Sequence, residues 1–113
     1  MRIIFFFVML FCASNLAYSQ SDSNAAIIAI KIANRLKDTL DLTQQRRDQL
    51  YEVNMLIHHE KAAAWSAYSA SDSLRFYLQK VENKRDFLYK EIIISEEKYS
   101  LYLDKKRTLI SSN

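Results

Sequence analysis

The chain of 113 residues contains neither glycine nor proline. This absence constrains the fold more than any motif in it. Tight hairpin turns and strand bends lean on Gly, Asn-Gly or Pro, which supply a positive φ or a preset φ at little cost. A chain without them, and rich in Ala, Leu, Lys, Glu and Arg, is predicted to be all-α with short polar corners. The same absence excludes a Gly-rich phosphate loop and a dinucleotide-binding fingerprint.

Two stretches supply the corners. In Leu42-Thr43-Gln44-Gln45-Arg46, Thr43 is predicted to be a helix N-cap, its hydroxyl accepting from an orphan N–H of the next turn. About fifty residues later, Ile94-Ser95-Glu96-Glu97-Lys98 repeats the pattern, with Ser95 as cap and Glu96 and Glu97 at the positive end of the helix dipole. The pair resembles the twice-occurring Leu-Thr-x-x-Gln signature of the Spy/CpxP-like bacterial envelope proteins. Both copies depart from it at the last position, where Arg46 and Lys98 replace Gln. A Gln there could accept the cap residue's N–H; Arg and Lys carry no acceptor, so each cap is half a capping box. The resemblance spans roughly Ala25 to Ile110. It implies a cradle-shaped homodimer built from bent antiparallel hairpins.

Residues 1–19 read as a secretory signal peptide. Arg2 is the basic start, Ile3 to Phe11 the apolar run, and Ala17-Tyr18-Ser19 a cleavage site with small residues at the two positions that matter. The run falls short of the roughly 20 apolar residues a membrane-spanning helix needs. Phe11 is too large to precede a lipidated Cys12. What remains, 20–113, is one small domain without cysteine, so no disulfide can staple it and helix packing must hold it. The formal charge of +3 falls to +2 once Arg2 is removed, too mild a balance to argue for nucleic acid.

Four helices are predicted: Asn24 to Leu40 after a cap at Ser21, Asp22 or Ser23; Gln44 to about Ala70; Asp72 to Ile93; and Glu96 to about Leu109. The first is an ordinary amphipathic helix, with Ile28, Ile32, Leu36 and Leu40 at every fourth position and Lys31, Arg35 and Asp38 on the other side. The second carries two apolar seams. Leu50, Val53, Ile57, Ala64 and Tyr68 form one; Tyr51, Met55, His58, Ala62 and Trp65 form the other, about 100° around the helix. Either this helix packs against two neighbours, or its second seam faces a groove, a dimer partner or a bound client. Tyr, Met, His and Trp suit adaptable binding surfaces. In the third helix Leu74, Leu78, Val81, Leu88 and Ile92 form the seam, Arg85 fills its missing position, Tyr77 and Tyr89 flank it, and Asp86 and Lys90 are spaced as an ion pair. The fourth places Tyr99, Tyr102, Leu103 and Ile110 on one side, with Lys105, Lys106 and Arg107 at the negative end of its dipole.

No catalytic set is visible, and no cofactor is implied. The serines sit at predicted caps and corners, where backbone capping accounts for them. His58, His59 and Met55 form a weak metal-binding alternative; adjacent histidines on a helix point about 100° apart, and a structural zinc site takes about four N or S ligands. Bases interleaved with aromatics recur in Lys84, Arg85, Phe87, Tyr89 and Lys90, and in Lys98, Tyr99, Tyr102, Lys105 and Lys106. Such a surface could attract acidic clients at range and hold apolar segments at contact. The function expected is that of an ATP-independent periplasmic chaperone or envelope stress-response protein. It would bind unfolded or partly folded proteins through Tyr51, Met55, His58 and Trp65. The alternatives are a regulatory partner of an envelope sensor kinase and a metal-responsive sensor.

Overall fold

The computed structural model describes residues 23–111; the predicted signal peptide and the caps at Ser21 and Asp22 lie outside them. Four helices follow one another: α1 (Ser23–Leu40), α2 (Gln44–Tyr68), α3 (Leu74–Ile93) and α4 (Glu96–Leu109). The protein is a small all-α bundle. Each helix packs on the next, and α4 returns to α1, so the four form a closed ring. Cross-helix pairs fix the directions: Asn54 meets Ala29, Lys84 meets Glu60, Lys106 meets Asp86, and Arg35 meets Thr108. Every neighbouring pair is therefore antiparallel.

The first corner ends α1 without glycine. Asp41 takes the left-handed conformation at φ 55, which Asp tolerates better than most residues. The N–H of Leu42 then reaches back to the carbonyl of Lys37 at 3.0 Å, the six-to-one bond of a Schellman ending. Leu42 is buried in the core cluster that also holds Leu36. Thr43 opens α2, its Oγ1 accepting from the N–H of Arg46 at 3.2 Å.

The second corner is tighter. Ile94 has φ 66 and ψ −52, and the N–H of Ser95 donates to the carbonyl of Ile93 at 2.7 Å. That is a three-residue γ-turn with positive φ, a strained form for any residue and most of all for a β-branched one. Ser95 caps α4 by accepting from the N–H of Lys98 at 3.3 Å.

The two bases that replace Gln in the repeated motif each cross to the other corner. The Arg46 guanidinium donates to the carbonyl of Ile92, and the Lys98 ammonium donates to the carbonyl of Asp41 at 2.8 Å. Helix C-terminal carbonyls lack intrahelical donors, so each cation supplies one and meets the negative end of a helix dipole. At the far side of α1, Arg35 does the same for the end of α4, donating to Thr108 and Ser111 carbonyls at 2.9 and 2.7 Å. Arg35 is thus a clamp between helices rather than part of a solvated face.

The main core gathers Ile32, Ala33, Leu36, Leu40, Leu50, Val53, Ile57, Val81, Leu88, Tyr89, Ile92, Tyr102 and Leu109. Tyr89 and Tyr102 are fully buried, their ring centroids 5.0 Å apart. Tyr89 was expected beside the α3 seam; it is central because α4 folds over it. Its hydroxyl donates to Oδ1 of buried Asn54, whose Nδ2 donates to the Ala29 carbonyl at 3.0 Å. One polar chain thereby joins α1, α2 and α3.

Two sequence expectations are corrected. Asp86 does not pair with Lys90: it accepts from the Tyr102 hydroxyl at 2.7 Å and from Lys106 at 2.8 Å, because α4 brings those donors across. Lys90 instead lies 5.9 Å from the ring centroid of Tyr99. Leu103 is exposed, since only one narrow side of α4 meets α3 and α1. α2 ends at Tyr68 and α3 begins at Leu74, where Ser71 and its hydroxyl organise the turn through bonds from the N–H groups of Leu74 and Ser73.

Candidate functional site

Between Ile57 on α2 and Val81 on α3, the one buried residue is Ala64. α1 and α4 flank the other end of this hairpin, so among the described residues its last turns form an arm covered by no other helix. The chemistry of the arm is uneven. α2 contributes a run of small residues, of which Ala63, Ala64 and Ala67 face Tyr77 of α3, with Phe76 beside Tyr77. Small side chains facing large ones leave a groove of about 590 Å³, walled by Ala63, Ala67, Tyr68 and Tyr77 with Lys80 and Lys84 at its edge.

The aromatics are ordered by one another. Tyr68 and Tyr77 stack, their centroids 4.1 Å apart and their planes within 9°. Phe76 stands edge-on to Tyr77 at 5.2 Å and 80°. Lys80 Nζ lies 5.8 Å from the centroids of both Phe76 and Tyr77, within cation–π range. Hydrogen bonding to Tyr77, and the repulsion two adjacent phenolates would suffer, hold the Tyr68 phenol above its ordinary range. Phe76 is 61% exposed and Trp65, on the same arm, 53% exposed. Lys84 pairs with Glu60, and Lys61 with Glu82, fixing the hairpin where the arm leaves the core.

The four residues expected to form a client-binding seam are divided by this geometry. Trp65 and His58 are exposed, whereas Tyr51 is half-buried and Met55 is buried. Met55 packs with Ala25 and Ala29 of α1. Those two small residues let α1 lie close to α2, and α1 covers the seam as far as its own N-terminus. Among the described residues the seam is uncovered only beyond that point. Met55 and Tyr51 are therefore packing residues, and the accessible surface shifts outward to Trp65, Tyr68, Phe76 and Tyr77. The alternation of an alanine run on one helix with adjacent aromatics on the next was the signal for this groove.

The expected aromatic and basic surface of α3 and α4 is also divided between core and exterior. Arg85, Tyr89 and Tyr102 are buried, and Lys106 is committed to Asp86. Phe87 remains outside at 60% exposure. For the metal alternative, the His58 and His59 rings meet edge to face at 5.7 Å, but His58 points to solvent while Met55 is buried. No group of three or more His, Cys, Asp or Glu side chains converges among the described residues. None of the described helices is long and apolar enough to cross a membrane. No family model, curated protein or solved structure matches the chain.

Proposed function

We propose that this protein is an ATP-independent chaperone or stress-response protein of the bacterial periplasm that holds apolar segments of non-native chains on the aromatic arm of the α2–α3 hairpin. One observation carries the reading: Tyr68, Tyr77 and Phe76 pack on one another beside a groove edged by Lys80, with exposed Trp65 on the same arm, where no other described helix covers them. Exposed apolar patches of this kind mark binding surfaces. Stacked, low-entropy aromatic rings can hold many different apolar segments, and Lys80 adds attraction to acidic ones. The repeated capped corners, with their likeness to the Spy/CpxP-like signature, support the same reading, as does the signal-peptide pattern of residues 1–19. In this reading the working form is a homodimer that sets two arms around one client.

The test is suppression of aggregation of a chemically denatured model client at near-stoichiometric amounts without ATP. The parent protein should suppress it. The double variant Trp65→Ala, Phe76→Ala should lose most of that suppression while keeping its helical circular dichroism. Full suppression by the double variant would place the working surface elsewhere.

A further inference from the structure

A second cavity lies beside the middle of α2, just inside the point where the arm leaves the core. It has a volume of about 310 Å³, is open to solvent on one side, and lies between α1, α2 and α3, with Ile110 at its edge beyond the end of α4. Its walls are Ile28 and Ile32 from α1 and Ile57 from α2; its polar members are Asn54, His58, Lys61 and Arg85. Among the described residues no carboxylate lines it. Asn54 is already satisfied, by Ala29 and Tyr89.

Arg85 is the unusual member. It is 7% exposed, and its Nε is buried without a hydrogen-bond acceptor. Nη1 donates to Glu82 at 2.7 Å. A buried cationic donor without an acceptor is costly, and an entering acceptor removes that cost. The surrounding charges leave room for one. Glu82 is shared by Lys61, Arg85 and, at 4.0 Å, Lys106, while Lys106 is also paired with Asp86 at 2.8 Å. Three cations thus face two carboxylates, a surplus of one positive charge beside an isoleucine-walled cavity.

We propose that this cavity binds a small apolar monocarboxylate, its headgroup on Arg85 and Lys61 and its chain among Ile28, Ile32 and Ile57. One negative charge matches the surplus. A carboxylate can accept from a guanidinium and an ammonium together, the strongest hydrogen bonds available here. The volume sits at the low end of small-molecule pockets, roughly 300 to 1,000 Å³, which suits a single short or medium chain. This site shares Lys61 with the base of the arm, but it does not rest on the chaperone reading.

The experiment uses octanoate as probe and octan-1-ol as its uncharged counterpart, followed by NMR of alanine methyl groups in the purified protein. Ala25 and Ala29 line this cavity, and Ala63 and Ala67 line the groove of the arm. Octanoate should shift the first pair saturably and leave the second pair still, and octan-1-ol should bind about tenfold more weakly or worse. Lys61→Gln, a half-exposed position, should weaken octanoate about tenfold, and Arg85→Gln by more. If Arg85→Gln does not fold, Lys61→Gln decides alone. Equal binding of octan-1-ol, unchanged binding by Lys61→Gln, or shifts confined to Ala63 and Ala67 would each overturn the assignment.

Discussion

Asn54 spends both ends of its amide on other helices, taking a proton from the Tyr89 hydroxyl and giving one to the Ala29 carbonyl. Burial pushes the Tyr89 phenol well above its ordinary range, so it stays a donor at any physiological pH. Tyr89→Phe would keep the ring packing and strand Asn54 Oδ1 without its donor. The expected loss is about 1–3 kcal/mol of unfolding free energy, read from urea titrations; an unchanged midpoint would mean that the bond contributes nothing net. Neither role was legible in the sequence, because an Asn between two apolar seams reads as a polar interruption until the third helix is in place. Glu52 carries the opposite cost. Its Oε2 is buried without a hydrogen-bond partner, and desolvation, with the charge of Asp48 adding to it, raises its pKa above 4.5. A carboxylate whose folded pKa is raised binds its proton more tightly in the folded state. It therefore withholds stability when ionised, increasingly as pH rises through the folded pKa, and has no effect below the unfolded value. Glu52→Gln is expected to melt higher than the parent at neutral pH, with the gap closing as pH falls toward 4.5. A gap that persists or widens on acidification would contradict that sign.

The helices themselves were legible because no residue in the chain interrupts them except the polar corners. Expected and observed ends agree within two residues, and Thr43 and Ser95 each accept the bond expected of a cap. The chain's way of turning without glycine was not legible. Thr43 and Ser95 mark where the helices start, but nothing in Ile92-Ile93-Ile94 announces that the last isoleucine takes φ 66. Nor could the sequence say that Arg46 and Lys98, unsuited to a capping box, would serve the opposite corner's carbonyls; that requires the two hairpins to meet. Holding Ile94 in this conformation costs on the order of 1–3 kcal/mol, and the side chain recovers little of it, being 58% exposed. Ile94→Gly removes the steric cost and adds about 0.5–1 kcal/mol of backbone entropy loss. The expected net effect is a gain of about 1 kcal/mol, visible as a higher urea midpoint. A lower midpoint would show that the isoleucine side chain contributes more at this corner than its exposure implies.

Taken as one body, the described residues are anchored at one end and uncovered at the other. The crossed cations, the two corners and the buried tyrosines all lie where α1 and α4 flank the central α2–α3 hairpin. The remainder of that hairpin is held by its own stacked rings and by the Lys61–Glu82 and Lys84–Glu60 pairs. Half-exposed pairs of this kind contribute little, about 0–1 kcal/mol each. The division runs along a single helix, which is why the sequence showed two seams but not where the second one is covered: that depends on where α1 begins, and on Ala25 and Ala29 letting it lie close to Met55. Ile57 and Trp65 sit on either side of the boundary. Ile57 is 1% exposed within the main core, and Trp65 is 53% exposed on the arm. Ile57→Ala should leave a cavity and cost about 2–5 kcal/mol. Trp65→Ala removes the larger side chain, yet it leaves no buried void and should stay within about 0.5 kcal/mol of the parent. Thermal melts of the two variants, each paired with an aggregation assay, would separate the two halves of the helix. The structure requires the smaller truncation to be the more destabilising one, and the proposed function requires the larger truncation to lower client holding. Should Trp65→Ala lose several kcal/mol, the arm would be packed in solution, and the surface for clients would have to be sought around exposed Phe87 and Leu103 on the outer sides of α3 and α4.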